Sequence, residues 1–333
     1  MPRHLDEFEI IARHFKPLAA KCEGALGLSD DAAVLRVATG RELIVTADAL
    51  VEGVHFLSND PPDLIARKML RVNLSDLAAK GATPTVYLMT LALGPAVDES
   101  WIASFAHGLA QDQDEFGIFL AGGDTTATPG PTTLSVTAMG EVAQGQALRR
   151  NGARAGDGIW VSGTIGDGAL GLAAARGESL GVDADAVAML ADRYRLPRPR
   201  VALGPRLVGM AHAAMDVSDG LVGDLRHICD ASGLGAEIEA ARVPLSAAAR
   251  AVVARAPTRL REILTGGDDY EILFTAPVSR DRALMALSEE MGMALTRIGT
   301  MMAGGGVTVR DATGGTMETG QGGYRHFGAP TAR

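Results

Sequence analysis

The chain has few cysteines, few aromatic residues and no excess of basic ones. Its 333 residues include two cysteines, Cys22 and Cys229, with no C-x-x-C, so a disulfide framework and a zinc knuckle are both excluded. Aromatic residues make up 4% and hydrophobic residues 47%, so small aliphatic side chains must fill the core. The formal net charge is −9, which argues against nucleic-acid or anionic-membrane partners because both need a basic surface.

No apolar run is long enough to cross a bilayer. The most apolar one, VYLMTLALGPAV, is interrupted by Gly94 and Pro95. The N-terminal MPRHLDEFEIIARHF carries acids early and has no apolar core, so it does not have the pattern of a signal peptide. We therefore predict a soluble, cytoplasmic protein.

The length suits two domains, and the basic, glycine-containing segment ALRRNGARAGDG is the best candidate boundary. We predict domains at 1–150 and 151–333.

Helical patterns cover 5–18, 61–81, 98–116, 183–195, 199–213, 219–232 and 279–290. Strand patterns cover 42–50, 85–93, 132–142, 159–162, 234–240, 270–275, 294–300 and 305–310. Two further segments, 27–37 and 117–126, are predicted as a turn running into a strand and as a strand breaking into a Gly-Gly-Asp turn. Helices and strands mix without strict alternation, which predicts α/β domains with mixed sheets.

Aspartates recur at predicted strand ends and helix starts, next to glycine or other small residues. They are Asp30, Asp31, Asp48, Asp76, Asp124, Asp216, Asp219, Asp268 and Asp269. Any one of them alone is best explained as a helix cap or a turn former. Adjacent like charges repel, however, unless something neutralises them, and Mg²⁺ prefers carboxylate oxygens drawn from several loops. The set therefore predicts bound Mg²⁺, and the spacing fits neither an EF-hand nor a zinc site.

The stretch MDVSDGLVGDL places Asp216 and Asp219 at the start of the predicted helix 219–232. We expect them to hold Mg²⁺ beside free N–H groups of the helix N-terminus, which favour phosphate.

Glycine-rich loops give a weaker signal. GDGALG fits G-x-G-x-x-G, but no strand ending in an acid follows about twenty residues later, so a tight turn is favoured over a dinucleotide site. The sequence contains no Gly-Lys pair and hence no Walker A loop.

A series of short segments, in this order, resembles the thiamine-monophosphate kinase family of the aminoimidazole-ribonucleotide synthetase-like superfamily. The resemblance runs from about residue 5 to residue 327, through GLSDDAAVL, VTADALVEGVHF, NLSDLAAKGATP, GGDTT, ALRRNGARAGD, VSGTIGDGALGL, MDVSDGLVGDL, TGGDDYEILF and GGYRHF. It implies a two-domain α/β fold of that superfamily. The N-terminal domain would bind ATP and Mg²⁺ and form a homodimer through its sheet, as a barrel-like interface. The C-terminal domain would complete the cleft.

The implied activity is ATP-dependent phosphorylation of thiamine monophosphate to thiamine diphosphate. By resemblance, the metal ligands are Asp31, Thr46, Asp48, Asp76, Asp124, Asp216 and Asp219. The nucleotide contacts are Gly123, Asp124, Arg150 and Ser218, and the thiamine phosphate contacts are His55, Asp268 and Tyr324. Asp124, Asp216 and Asp219 would carry the catalytic role, with Mg²⁺ and ATP bound and K⁺ as a further candidate ion.

Several alternatives stay open from the residues alone. Ala47 stands where relatives can have Thr, and Asp268 where a Glu can occur, so both contacts are altered. His55 is equally explained as a structural histidine, Tyr324 as a packed aromatic, and Arg150 as part of a solvated basic connector. The rival functions are another ATP-using enzyme of the superfamily, similar to aminoimidazole-ribonucleotide synthetase, and a non-catalytic Mg²⁺–nucleotide sensor.

Overall fold

Two mixed β-sheets, one in each unit of the chain, organise the fold. The computed structural model describes residues 7–320 and 322–323. The first unit consists of Met1–Ala147 and Val201–Pro205, and the second of Leu148–Arg200 and Arg206–Arg333. Both sheets combine parallel and antiparallel neighbours, which confirms the predicted α/β class with mixed sheets.

In the described part of the first unit, four strands form one sheet in the order β1-β4-β2-β3. The strands are β1 (Arg41–Val51), β2 (Thr83–Leu93), β3 (Phe119–Ala127) and β4 (Thr133–Ala143). The helices are α1 (Glu7–Ile10), α2 (Pro62–Ala79) and α3 (Glu99–Phe116), with a π-helical turn at Ile11–Phe15 and 3₁₀ turns at Lys16–Ala19 and Glu23–Leu28. β2 and β3 run parallel, whereas the β1–β4 and β2–β4 pairs are antiparallel.

Helix α2 is the central element of the first unit. It begins at Pro62, whose missing N–H costs nothing in the first turn, and the chain turns away at Gly81, where φ is +73°. Most of its side chains are buried, against β1 and β4 on one side and α3 on another. Gly204 also contacts α2, because a β-carbon there would lie 2.1 Å from the Ala78 carbonyl oxygen. This contact explains why residues 201–205 belong to the first unit.

In the described part of the second unit, six strands form a sheet in the order β10-β7-β9-β5-β8-β6. They are β5 (Gly158–Ser162), β6 (Ala213–Asp216), β7 (Gly235–Glu239), β8 (Ile272–Ala276), β9 (Leu295–Met302) and β10 (Gly306–Arg310). The helices are α4 (Asp167–Ala175), α5 (Ala184–Arg195), α6 (Gly204–Leu207, at the change of unit), α7 (Leu221–Ser232), α8 (Ala247–Arg255), α9 (Arg259–Thr265) and α10 (Asp281–Met291). Short 3₁₀ turns lie at Ala240–Arg242 and Val278–Arg280.

Three local predictions are wrong. Residues 27–37 form no strand; Val34 donates one hydrogen bond to Gly24, and its side chain is exposed rather than part of a ladder. The predicted helix 199–213 is reduced to α6, because Pro205 has no N–H to bond the carbonyl of residue 201 and Gly209 adopts φ +75°. The predicted Gly-Gly-Asp turn is part of the continuous strand β3.

Within residues 7–320 and 322–323, no helix is both long and apolar enough to cross a membrane. Cys22 and Cys229 are buried free thiols. Cys229 lies on the apolar face of α7 and packs in the core of the second unit.

A buried ion-pair network joins α2 to α3. The Asp112 carboxylate, fully buried, accepts from Arg67 Nε at 2.7 Å and from Arg71 Nε and Nη2 at 2.7 and 2.8 Å. Removing one partner of such a network is costly because the remaining charges stay buried.

We expect Asp112→Ala to lower the free energy of unfolding of the first unit by about 3–5 kcal/mol. The matched control is Asp114→Ala on the same helix, whose exposed pair with Lys21 should contribute at most about 1 kcal/mol. Urea unfolding followed by circular dichroism measures both. Equal losses in the two variants would contradict the assigned role of Asp112.

Candidate active site

In the first unit, β1 and α2 bring two predicted metal ligands together. Alternate residues of β1 face opposite sides of the sheet, so Thr46 and Asp48 share the half-buried side. Thr46 Oγ1 donates a hydrogen bond to Asp76 Oδ2 on α2. The backbone carbonyl of Asp48 accepts from Ser135 Oγ at 3.0 Å, which fixes this part of the strand. The geometry therefore offers a hydroxyl and a carboxylate in direct contact, with a second carboxylate two residues along β1.

The acid pair at 30–31 divides into two roles. The Asp30 carboxylate accepts from the Asp31 backbone N–H at 2.8 Å, so Asp30 forms a local turn. Asp31 is exposed. The structure thus explains one acid of the doublet locally and leaves the carboxylate of the other at the surface.

Gly123 and Asp124 lie on β3 beside β2, where Asp124 is paired with Thr90. A β-carbon at position 123 would lie 1.9 Å from the Met89 carbonyl oxygen, so only glycine allows this approach of the two strands. Asp124 is exposed. Asp124 therefore presents its carboxylate from strand β3 and not from the predicted turn.

His55 has a local structural contact. Its Nδ1 accepts from the Val51 backbone N–H at 3.0 Å, which places the proton of the neutral ring on Nε2. Its carbonyl accepts from Lys68 Nζ at 3.0 Å. His55 therefore has the structural contact considered above, made through Nδ1. A substrate contact would use the Nε2 side of the ring.

In the second unit, the segments 216–220 and 266–271 are bound to each other through their backbones. Val217 N–H donates to Glu271 at 2.8 Å, Tyr270 N–H donates back to Val217 at 2.8 Å, and Asp268 N–H donates to Ser218 at 2.9 Å. These bonds continue the β6–β8 pairing, which ends at Asp216 opposite Ile272. Asp216, Ser218 and Asp268 are therefore held by one ladder of backbone bonds.

Glycines allow these segments to approach so closely. A β-carbon at 267 would lie 2.1 Å from the Ser218 carbonyl oxygen, and one at 220 would lie 2.5 Å from that of Thr265. A β-carbon at 168 would lie 2.3 Å from the Asp268 carbonyl group. Of the GDGALG motif, only Gly166 lies in a turn, with φ +90°, and residues 167–171 already belong to α4, so the tight-turn interpretation holds only for the start of the motif.

The loop 266–271 contains residues in an unusual backbone conformation. Asp268 and Tyr270 adopt φ of +68° and +53°, a region that ordinary side chains rarely occupy. Between them, the buried Asp269 carboxylate accepts from the backbone N–H groups of Gly166 at 2.7 Å and Gly168 at 2.9 Å. Burial raises the pKa of Asp269 well above its usual range, against the opposing effect of those two bonds. Asp269 thus joins this loop to 166–168 and leaves Asp268 as the more accessible acid.

The N-terminus of α7 differs from the prediction. Asp224, in the first turn of the helix, accepts from the backbone N–H groups of Asp219 at 3.1 Å and Gly220 at 3.0 Å. Those two groups are therefore not free to bind phosphate. Burial first, and then the charge of Asp219, raise the pKa of Asp224 to about 7, whereas Arg150 acts in the opposite direction.

Arg150 belongs to a connector that is tied to the sheet. The Arg149 carbonyl accepts from Ala214 N–H on β6 at 2.8 Å, and the Arg150 carbonyl accepts from Ser232 Oγ at 3.4 Å. The positive charge of Arg150 acts to lower the pKa of Asp224. The connector is thus held along β6, and the Arg150 side chain is exposed.

Sequence reasoning missed Asp224, and it did not separate Asp269 from its neighbour Asp268. A sequence signal exists for Asp224, because an acid in the first turn of a helix can bond the preceding backbone N–H groups. No local signal shows which acid of the 268–269 pair is buried. Tyr324 lies outside the described residues. The chain reaches Gly323 beside Asp219, whose Cβ would lie 3.9 Å from a β-carbon at 323.

Across residues 7–320 and 322–323, no three His, Cys, Asp or Glu side chains are grouped so as to hold a metal ion. A preformed cage of protein ligands is therefore not present there. Mg²⁺ commonly binds through one or two carboxylates, completed by waters and substrate phosphates. The paired oxygens of Thr46 and Asp76 fit that kind of site by donor chemistry.

Two family descriptions define the class of the protein. AIR synthase related protein, N-terminal domain, matches residues 29–142, and AIR synthase related protein, C-terminal domain, matches residues 154–312. At higher similarity, a thiamine-monophosphate kinase of Caulobacter vibrioides is 44% identical over 314 residues, covering 92% of this chain and 88% of that protein. The chain belongs to the thiamine-monophosphate kinase family of AIR synthase related proteins, as the ordered segments predicted.

Solved structures agree with this assignment. The crystal structure of thiamine-monophosphate kinase from Stenotrophomonas maltophilia K279a is 44% identical, with a TM-score of 0.83 over 92% of this chain and 96% of that one. A structure described as AaThiL complexed with AMPPCP and TMP is 31% identical, with a TM-score of 0.77 over 96% and 97% of the two chains. The two-domain fold of the family is therefore confirmed.

We expect Gly267→Ala to destabilise the second unit by about 1–3 kcal/mol, because the new methyl group must displace the Ser218 carbonyl. Gly305→Ala is the control: no atom lies within 4 Å of its β-carbon, and the change should stay within about 1 kcal/mol. Thermal unfolding monitored by circular dichroism compares the two. An unchanged midpoint for Gly267→Ala would mean that segments 216–220 and 266–271 do not pack as described.

Proposed function

We propose that this chain transfers the terminal phosphoryl group of ATP to thiamine monophosphate, giving ADP and thiamine diphosphate. The observation that carries the proposal is the similarity to thiamine-monophosphate kinases at 44% identity along 92% of the chain, through both units. The related structure with AMPPCP and TMP supports the same pair of substrates. The chain is accordingly a kinase of thiamine biosynthesis.

The reaction depends on reducing the repulsion between two phosphate groups more than on a catalytic base. The second pKa of a phosphate monoester is about 6, so at pH 7 the acceptor is mostly a dianion and already a nucleophile. It must approach a polyanionic triphosphate, and two unit charges about 4 Å apart repel by about 4 kcal/mol at an effective dielectric of about 20. Positioning and electrostatic stabilisation therefore matter most.

The described residues supply rigid positions for that task. The backbone ladder orients Asp216, Ser218 and Asp268, and Arg150 supplies a positive charge that acts on Asp224. We assign Gly123, Asp124, Arg150 and Ser218 to the nucleotide, and His55, Asp268 and Tyr324 to thiamine phosphate. In this proposal residues 1–150 bind ATP and Mg²⁺ and dimerise, and residues 151–333 supply the remaining contacts.

Mg²⁺ is part of the proposal, with Asp31, Thr46, Asp48, Asp76, Asp124, Asp216 and Asp219 as the residues that would hold it. When bound it would screen the facing phosphates from each other and from these carboxylates. The all-oxygen donor set and the contact between Thr46 and Asp76 support this choice. K⁺ is kept as a further candidate ion, and the predicted cytoplasmic location is kept with the proposed biosynthetic role.

A homodimer through the first-unit sheet is also proposed. The side of β1 opposite Thr46 and Asp48 is apolar and exposed, with Leu43 at 41% and Val45 at 54% exposure. Apolar sheet faces of this kind usually pack against another surface. A second copy of this chain is the partner that the family resemblance favours.

We expect Asp219→Asn to reduce thiamine diphosphate formation at least about tenfold at limiting Mg²⁺, with partial recovery at high Mg²⁺, because one negative ligand is lost. Asp230→Asn, an exposed position on α7, should retain wild-type turnover. Product is measured by chromatography, with ADP release measured in parallel. Formylglycinamidine ribonucleotide as acceptor tests the rival enzyme of the superfamily.

Wild-type turnover of Asp219→Asn at limiting Mg²⁺ would refute the metal assignment alone. ADP release without thiamine diphosphate, or with the ribonucleotide acceptor, would refute the proposed substrate. The absence of ADP release with either acceptor would favour the sensor interpretation.

We expect Val45→Glu to convert the protein from a dimer to a species of about 34.5 kDa, the mass of one chain, since a charge buried at an apolar interface is strongly unfavourable. Val278→Glu in the second unit, where the wild-type side chain is 53% exposed, is the matched control and should remain dimeric. Light scattering after size exclusion gives both masses. A dimeric Val45→Glu variant would place the interface elsewhere.

A further inference from the structure

A cavity of about 360 Å³ lies wholly within the second unit. Its walls come from the loop 163–167, helix α5 and the segment that follows it, Ser246, and residues 292–293. The volume is in the range of small-ligand pockets, about 300–1,000 Å³. None of the residues assigned above to metal, nucleotide or thiamine phosphate lines it, so it is distinct from the proposed active site.

Three arginines line this cavity: Arg193, Arg198 and Arg200. The Arg193 side chain is only 6% exposed, with Nη2 3.2 Å from Glu271 Oε1 and Nε 3.8 Å from Asp167 Oδ2. Its Nη1 is buried and has no hydrogen-bond partner among the described residues. A buried donor without an acceptor costs about 1–3 kcal/mol, so Arg193, whose side chain lines the cavity, gains an acceptor when its guanidinium turns toward it.

The neighbouring acids are already satisfied and do not compete for that donor. Asp167 accepts from Thr164 Oγ1 and Ser246 Oγ, each at 2.6 Å, one on each carboxylate oxygen. Glu271 accepts from Ser162 Oγ at 2.6 Å and is paired with the Arg200 guanidinium through Nε and Nη2. Arg200 Nη1 is left over by this pairing.

The mouth and walls complete the chemistry of the cavity. Arg198 has a side chain that is 60% exposed, and its nearest acid is Asp192, 4.0 Å away and itself half exposed, so this pair is weak and screened. Met189 and Met293 give apolar walls. Guanidinium groups with spare N–H donors bind oxyanions, and phosphate most of all, through several bonds at once.

We propose that this cavity is a second anion site, which takes a compact phosphate group, either free or on a small molecule. The bound oxygens accept from Arg198 and Arg200, and from Arg193 Nη1 after a small rotation of its guanidinium brings that buried atom to the cavity surface. The loop 163–167 lines the cavity, and it contains Gly166 and leads to Gly168, whose N–H groups donate to the Asp269 carboxylate. Occupation of the cavity therefore steadies the same loop that supports Asp268.

Inorganic phosphate is the probe, and methyl NMR of protein labelled at methionine methyl groups locates its binding. Met189 and Met293 are assigned by Met189→Leu and Met293→Leu. Met285 on α10, exposed and outside the cavity, is the internal control. We expect saturable shifts of the Met189 and Met293 signals as phosphate is added, with the Met285 signal unchanged. This readout is independent of kinase activity and of phosphate bound at the proposed active site.

Variants then test the arginines. Arg198→Gln should weaken binding about two- to fivefold, as expected for an exposed charge, and Arg193→Gln by about ten- to a hundredfold. Arg242→Gln is the matched control, because it also removes an exposed, acid-paired arginine of the second unit away from the cavity. It should bind phosphate as the wild type does.

Two results would overturn the proposal. One is the absence of saturable shifts at Met189 and Met293 in the wild type, which would mean that water alone satisfies Arg193. The other is identical binding by Arg198→Gln and the wild type. Arg198 supports no buried group, so this second comparison holds even if Arg193→Gln fails to fold.

Discussion

Backbone hydrogen bonds between segments 216–218 and 268–271 hold the centre of the second unit. They form only because the glycines at 168, 220 and 267 carry no β-carbon where the segments meet. A side chain at any of these positions would overlap a backbone atom, so the contact cannot be adjusted by choosing another rotamer. The positions of Asp216, Ser218 and Asp268 depend on this close approach, and so does the unusual φ of Asp268 and Tyr270.

The acids of the second unit divide by burial into supporting and accessible groups. Asp224, Asp269 and Glu271 are buried and accept hydrogen bonds from backbone N–H groups, hydroxyls or guanidiniums. Burial disfavours the charged forms of Asp224 and Asp269, which is why their pKa values rise. Asp219 and Asp268 are only half buried and remain able to meet solvent ions or ligands. The accessible acids are thus supported by buried ones, whereas Asp216, a proposed metal ligand, is itself buried.

The sequence predicted most long elements correctly. The apolar and β-branched run at 43–46 marked β1, and the proline start and glycine end marked α2, because both patterns reflect local geometry. It failed at 27–37 and 199–213. An extended segment becomes a strand only when another strand pairs with it, and Pro205 and Gly209 restrict the helix to four residues. The Gly-Gly-Asp segment differs from its predicted turn because glycine serves two purposes. It favours turns, and it also allows two strands to approach closely, as Gly123 does between β3 and β2.

The sequence by itself determined the α/β class, the family and the group of aspartates at element ends, because each is carried by residue type, order and spacing. Only the tertiary structure decided which acids are buried, that Asp224 occupies two N–H groups at the start of α7, and that three arginines surround one cavity. Burial and hydrogen-bond pairing depend on segments far apart in the chain. No local sequence pattern indicates which of two adjacent carboxylates is buried.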